Sequence, residues 1–96
     1  MNKYKVLENK LKKISSHIDE MNIKDEVTKK YLMHYKDYVN QLIKAVHDKT
    51  IRNSEGAGLG LIRGISEYDL LCSDIKLWNF VVDADNYYSV ECISFE

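Results

Sequence analysis

All four glycines of the chain fall in one stretch, Gly56-Ala-Gly58-Leu-Gly60-Leu-Ile-Arg-Gly64, and proline is absent throughout. The stretch divides a lysine-rich, helix-patterned half from an acidic, aromatic half, so any fold must be assembled from those two parts and this join. A dinucleotide-binding loop needs Gly-x-Gly-x-x-Gly after a strand. Counted from Gly56 the third position is Leu61, and counted from Gly58 it is Arg63, so neither register fits. No Lys-Ser/Thr follows a glycine, as a Walker loop requires. The four-residue spacing of Gly56, Gly60 and Gly64 instead puts them on one face of a helix, where missing side chains admit a close neighbour. That packing has to offset about 1 kcal/mol of helix propensity per glycine. The rival is a connection whose glycines adopt positive φ. Leu59, Leu61, Ile62 and Ile65 are too apolar for a solvated linker. The expectation is a buried, glycine-faced helix or turn.

Ahead of this join the helical pattern is strong. Tyr4, Leu7, Leu11, Ile14, Ile18 and Met21 recur at spacings of three and four, with lysines and acids between them. This predicts an amphipathic helix roughly 28 Å long. After the short connection Asn22-Ile23-Lys24, Asp25 is a natural N-cap. A second helix then runs to about Arg52 on Val27, Tyr31, Leu32, Tyr35, Tyr38, Val39, Leu42, Ile43, Ala45 and Val46. Its broad stripe calls for neighbours on two sides, and the short connection makes the pair an antiparallel αα-hairpin.

Beyond the hairpin, Asn53-Ser54-Glu55 offers another cap. Ser66 with Asp69 resembles an imperfect capping box for a helix over about 66–82, carrying Tyr68, Leu71, Ile75, Trp78 and Val82. Residues 87–95 admit two readings. Tyr88, Val90 and Cys92 alternate like a strand, while Val81, Ala84, Tyr88, Cys92 and Phe95 form a helical stripe. A lone hairpin without a sheet is marginal. The fold expected is all-α, a small bundle of four to five helices with the N-terminal αα-hairpin, a Gly-rich helix and C-terminal helices. The alternative is α+β with a short C-terminal β-hairpin.

Ninety-six residues suffice for one domain, and 45% apolar with 30% charged content is ordinary for a globular chain. The first residues lack the apolar run of a signal peptide, and no stretch is long and apolar enough to cross a bilayer. A cytoplasmic protein with Cys72 and Cys92 as free buried thiols is the expectation. The net charge of −1 hides a split. Residues 1–52 carry 12 Lys+Arg against 7 Asp+Glu, and residues 53–96 carry 2 against 8. Either the halves attract each other, or they form binding surfaces of opposite sign.

Catalytic and metal chemistry find little support. His17, His34 and His47 are scattered, with no Cys-x-x-Cys or paired-histidine motif. Cys72 lies among Leu70, Leu71 and Ile75, which favours an inert thiol. Glu67 with Asp69 and Asp83 with Asp85 are two residues apart and diverge on a helix. No cofactor and no enzymatic activity are expected. The informative feature is the acidic, aromatic second half. Glu67, Asp69, Asp74, Asp83, Asp85, Tyr87, Tyr88 and Glu91 are the candidate partner-binding residues, suited to a basic protein through steering charges and aromatic anchors. Proteins that neutralise cationic nuclease toxins work in this way, so a toxin-immunity or antitoxin role is the leading expectation. One alternative is nucleic-acid binding through Lys29, Lys30 and Lys36 interleaved with Tyr31, Tyr35 and Tyr38. The absence of Arg there, and the presence of Glu26 and Asp37, argue against it. Another is a self-associating bundle whose homodimer contact is the Tyr4-to-Met21 seam.

Overall fold

The computed structural model describes residues 2–51 and 59–91. Helix α1 (Lys3–Glu20) starts at Asn2, whose side chain accepts from the Tyr4 N–H at 2.9 Å. Helix α2 (Glu26–His47) starts at Asp25, as its capping chemistry predicts. The Asp25 carboxylate accepts from both the N–H and the hydroxyl of Thr28. Those two bonds hold its pKa below the usual aspartate value.

Helix α2 stops earlier than the apolar stripe suggests, at His47 rather than near Arg52. Lys49 turns left-handed, with φ 59°. The Thr50 N–H then bonds back to the Ala45 carbonyl at 2.8 Å, and the Lys49 N–H to that of Val46 at 3.1 Å. This is a Schellman closure with a lysine where glycine is usual. It turns Ile51 back into the core.

Short helices α3 (Leu61–Ser66) and α4 (Asp69–Cys72) lead into the long α5 (Ile75–Glu91). The single helix predicted over 66–82 is therefore in three pieces. Ser66 ends α3 and caps no helix; the effective cap is Asp74, whose carboxylate accepts from the Leu77 N–H at 2.9 Å. Helix α5 carries Tyr87, Tyr88 and Val90 to Glu91, which overturns the strand alternative as far as residue 91. Cys92 and Phe95 lie outside the described residues. All five elements are α-helices, and no strand occurs among the described residues.

Helix α1 is the central element, packed against both α2 and α5. Side-chain pairs give the register. Ser15 meets Asn40 and Lys36 meets Asp19, so α1 and α2 run antiparallel. Lys10 meets Asp83 and His17 meets Asp74, so α1 and α5 do as well. Leu7, Leu11, Ile14 and Ile18 of the predicted seam join Leu32, Val39 and Val46 of α2 and Leu77, Val81 and Ala84 of α5 in one core.

The glycine stretch divides the predictions made for it. Gly56 and Gly58 lie outside the described residues. Gly60 stands ahead of α3 with φ 74°, so it is a left-handed cap and not part of a glycine-faced helix. Gly64 does lie inside a helix, and there a Cβ would stand 2.8 Å from the Tyr35 ring. The close approach exists, but an aromatic ring makes it rather than a backbone. Leu59, Leu61 and Ile65 are buried around it.

Three tyrosines of α2 secure this limb. Tyr31, Tyr35 and Tyr38 fall on one face and donate their hydroxyls to the carbonyls of Gly64, Leu61 and Leu59, at 2.5, 2.9 and 2.6 Å. Tyr31 also stacks on Tyr68, with ring centroids 4.1 Å apart. Burial raises the pKa of Tyr35 far above its ordinary value, and neighbouring Tyr31 and Tyr38 add to the rise. Burial likewise raises that of Tyr31, with Glu67 and Tyr68 contributing.

Candidate functional site

The eight predicted partner-binding residues scatter. Asp74 is occupied in capping α5, and it receives the His17 ring nitrogen at 3.0 Å. Burial disfavours its ionised form, but bonds from the Leu77 N–H, from His17 and from the Lys76 N–H outweigh that and lower its pKa. Asp83 pairs with Lys10 at 2.7 Å, and the same ammonium lies 5.4 Å from the centre of the half-buried Tyr87 ring. Asp85 accepts from the Leu59 N–H at 3.2 Å, tying α5 to the start of the α3 limb. Tyr88 is a core residue, 2% exposed. Glu91 is exposed but stands at the far end of α5, about 24 Å from Ile75 by helical rise. Part of the charge split is thus internal, joining α1 to α5 through Lys10 with Asp83.

Glu67 and Asp69 remain as exposed acids at one corner. Glu67 closes α3, and Asp69 opens α4, where an acid favours the helix dipole. The same short segment exposes apolar side chains. Leu70 is 51% exposed and Ile75 75%. Cys72, Ile75 and Trp78 line an open hollow of about 290 Å³ between α4 and the first turn of α5. The Cys72 thiol is free and half-buried, not enclosed in the core as its apolar neighbours in sequence suggest. Residues 67–78 therefore carry, within one short run of chain, a partly exposed aromatic ring, two exposed aliphatic side chains and two exposed carboxylates.

Leu70, Cys72, Ile75 and Trp78 were not among the candidate residues, and one misplaced cap accounts for that. Ser66 as cap puts Ile75 and Trp78 on the inward stripe. With Asp74 as cap, Ile75 is the first residue of α5, and the buried stripe becomes Leu77, Val81, Ala84 and Tyr88. Ser73-Asp74 ahead of an apolar run was the signal that could have shown this.

Two of the three histidines connect elements. His17 bonds to Asp74 and meets Phe80 edge-on, His47 lies 3.3 Å from Glu8, and His34 is exposed. Among the described residues no group of His, Cys, Asp or Glu has the arrangement to hold a metal ion. Among them, too, no helix is long and apolar enough to cross a membrane. Protein-family models, curated proteins and solved structures were each compared with the chain, and none matches it.

Proposed function

We propose that the chain is a non-enzymatic protein-binding inhibitor, of the toxin-immunity or antitoxin type, that occupies the surface of a basic partner protein. The observation that carries this reading is the apolar hollow of Cys72, Ile75 and Trp78, with the exposed acids Glu67 and Asp69 in the segment of chain that leads into it. An exposed aliphatic residue beside a partly exposed tryptophan provides area that gains by leaving water. The two carboxylates steer a cationic partner toward it and disfavour an acidic one. This moves the binding face from the middle of α5, where Asp83 and Asp85 have partners inside the molecule, to the α4–α5 corner.

The test is capture from the source cell by the parent chain and by two variants. One variant carries Glu67→Lys with Asp69→Lys and Ile75→Asp; the control carries Asp19→Lys on α1. The reading expects a basic protein, held by the parent and the control and lost by the corner variant. Association with that purified protein should slow at least about tenfold in the Glu67→Lys/Asp69→Lys variant at low salt, with the difference shrinking as salt rises. A captured protein that is acidic, or one retained by the corner variant, rejects the proposal.

A further inference from the structure

A second concavity lies between α1 and α5, and its chemistry is opposite to that of the corner. Positions 9, 13 and 16 of α1 share a face, and that face meets positions 76 and 80 of α5 across a groove of about 300 Å³. Lys13 and Lys76 reach it from different helices, and neither has a carboxylate partner among the described residues. Asn9 and Ser16 add polar side chains along the α1 wall, and the half-buried Phe80 gives the groove an aromatic surface.

The remaining wall residues are largely committed elsewhere. Lys12 pairs with Glu8 at 2.8 Å, and His17 bonds to Asp74. Glu20 is the only acid lining the groove among the described residues. Lys30 also lies beside apolar side chains, but those belong to α2 alone, and Lys29 shares its second hollow, at the α1–α2 connection, with Asp19 and no other lysine. In the groove, cations from two elements converge on a hollow that has an aromatic side and hydrogen-bonding groups. Its volume is at the lower end of the range for small-molecule sites.

We propose that the α1–α5 groove binds a phosphate-bearing small molecule with a planar body, of the nucleoside monophosphate class. Lys13 and Lys76 hold the phosphate as two point charges, Asn9 and Ser16 hydrogen-bond to it or to the sugar, and Phe80 lies against the planar part. The proposal is independent of the partner-binding reading, and the isolated chain suffices to test it.

The test is a titration of the isotopically labelled chain followed by amide NMR, with AMP and inorganic phosphate as separate probes. AMP should give saturable shifts concentrated at residues 9, 13, 16, 76 and 80, and it should bind more tightly than phosphate. Lys13→Gln with Lys76→Gln should weaken AMP at least about tenfold. Glu20→Gln should tighten it about two- to threefold. Phe80→Leu, which keeps the volume apolar, should weaken AMP and leave phosphate unchanged. The control Lys29→Gln with Lys30→Gln should bind AMP as the parent does, and thermal melts confirm that each variant is folded. Absence of saturation, equal affinity for AMP and phosphate, or equal loss in the control overturns the proposal.

Discussion

Gly60 and Gly64 are four residues apart in sequence, yet each is glycine for a different physical reason. Gly60 is exposed, and a Cβ there would meet only the Tyr38 hydroxyl at 3.6 Å, an ordinary contact. Its constraint is the backbone, at φ 74°. Gly64 has helical geometry, and its constraint is the Tyr35 ring. Substitution should separate the two. Gly60→Ala should cost about 1–2 kcal/mol through the left-handed backbone, and Gly60→Leu about the same, because the position is exposed and its one neighbour stands at ordinary contact distance. Gly64→Ala should cost about 1–3 kcal/mol by overpacking, and Gly64→Leu distinctly more. Urea denaturation of the four variants checks this; a Gly60→Leu loss far above that of Gly60→Ala would show that space, not φ, governs the position.

At the scale of elements, the long helices were legible and the short ones were not. Helix α1 shows its seam because one stripe, Leu7 to Ile18, faces the interior along its whole length. Helix α2 likewise shows its cap and its face, and its end was missed because Lys49 adopts a conformation that sequence assigns to glycine. Between Leu59 and Asp74 periodicity has only four- and six-residue helices to report on, too few turns to fix a face. Contacts of α2 decide the structure there, and the tyrosines that make them read in sequence only as part of the broad stripe of the second helix. Those tyrosines carry a prediction. Tyr35→Phe removes a buried donor from the Leu61 carbonyl and should cost about 1–2 kcal/mol; Tyr38→Phe, at a more exposed site, should cost less. Denaturant melts of the two variants give the order, and the reverse order would count against the ladder as the clamp. The same tyrosines set the sign of the alkaline limb. The folded pKa values of Tyr31 and Tyr35 lie above the ordinary 10.0, so their contribution is whole below pH 10 and is lost as pH climbs toward the folded values.

For the whole molecule, the acid side is set by carboxylates whose folded pKa is depressed. Glu8 faces the interior, with Lys12 at 2.8 Å, His47 at 3.3 Å and Lys5 at 3.9 Å. The Lys12 bond lowers its pKa most, burial pushes the other way, and His47 and Lys5 add to the lowering. Asp25 and Asp74 are shifted in the same direction. Their stabilisation is complete above the ordinary values of 4.5 for glutamate and 3.8 for aspartate, and it fades as pH falls below them. Stability measured in urea between pH 6 and pH 3 should drop with acid, and Glu8→Gln should flatten that drop while lowering the plateau. An unchanged slope in the variant would remove Glu8 from the account. The candidate site was legible only in its charge: Glu67 and Asp69 stand out in sequence. The apolar half of the corner depends on where α5 begins, which a single hydrogen bond from the Leu77 N–H to Asp74 decides.

The tyrosine ladder also acts as a register lock. Its donors sit at positions 31, 35 and 38 and its acceptors at 64, 61 and 59, so the two rows match in one alignment. A slip of one residue would leave all three hydroxyls without these acceptors and move Gly64 away from the Tyr35 ring, where only glycine fits. Other alignments of residues 59–64 on α2 are therefore unfavourable. The limb so registered runs straight on into α4, so a row of tyrosines on α2 sets where that stretch of the surface begins.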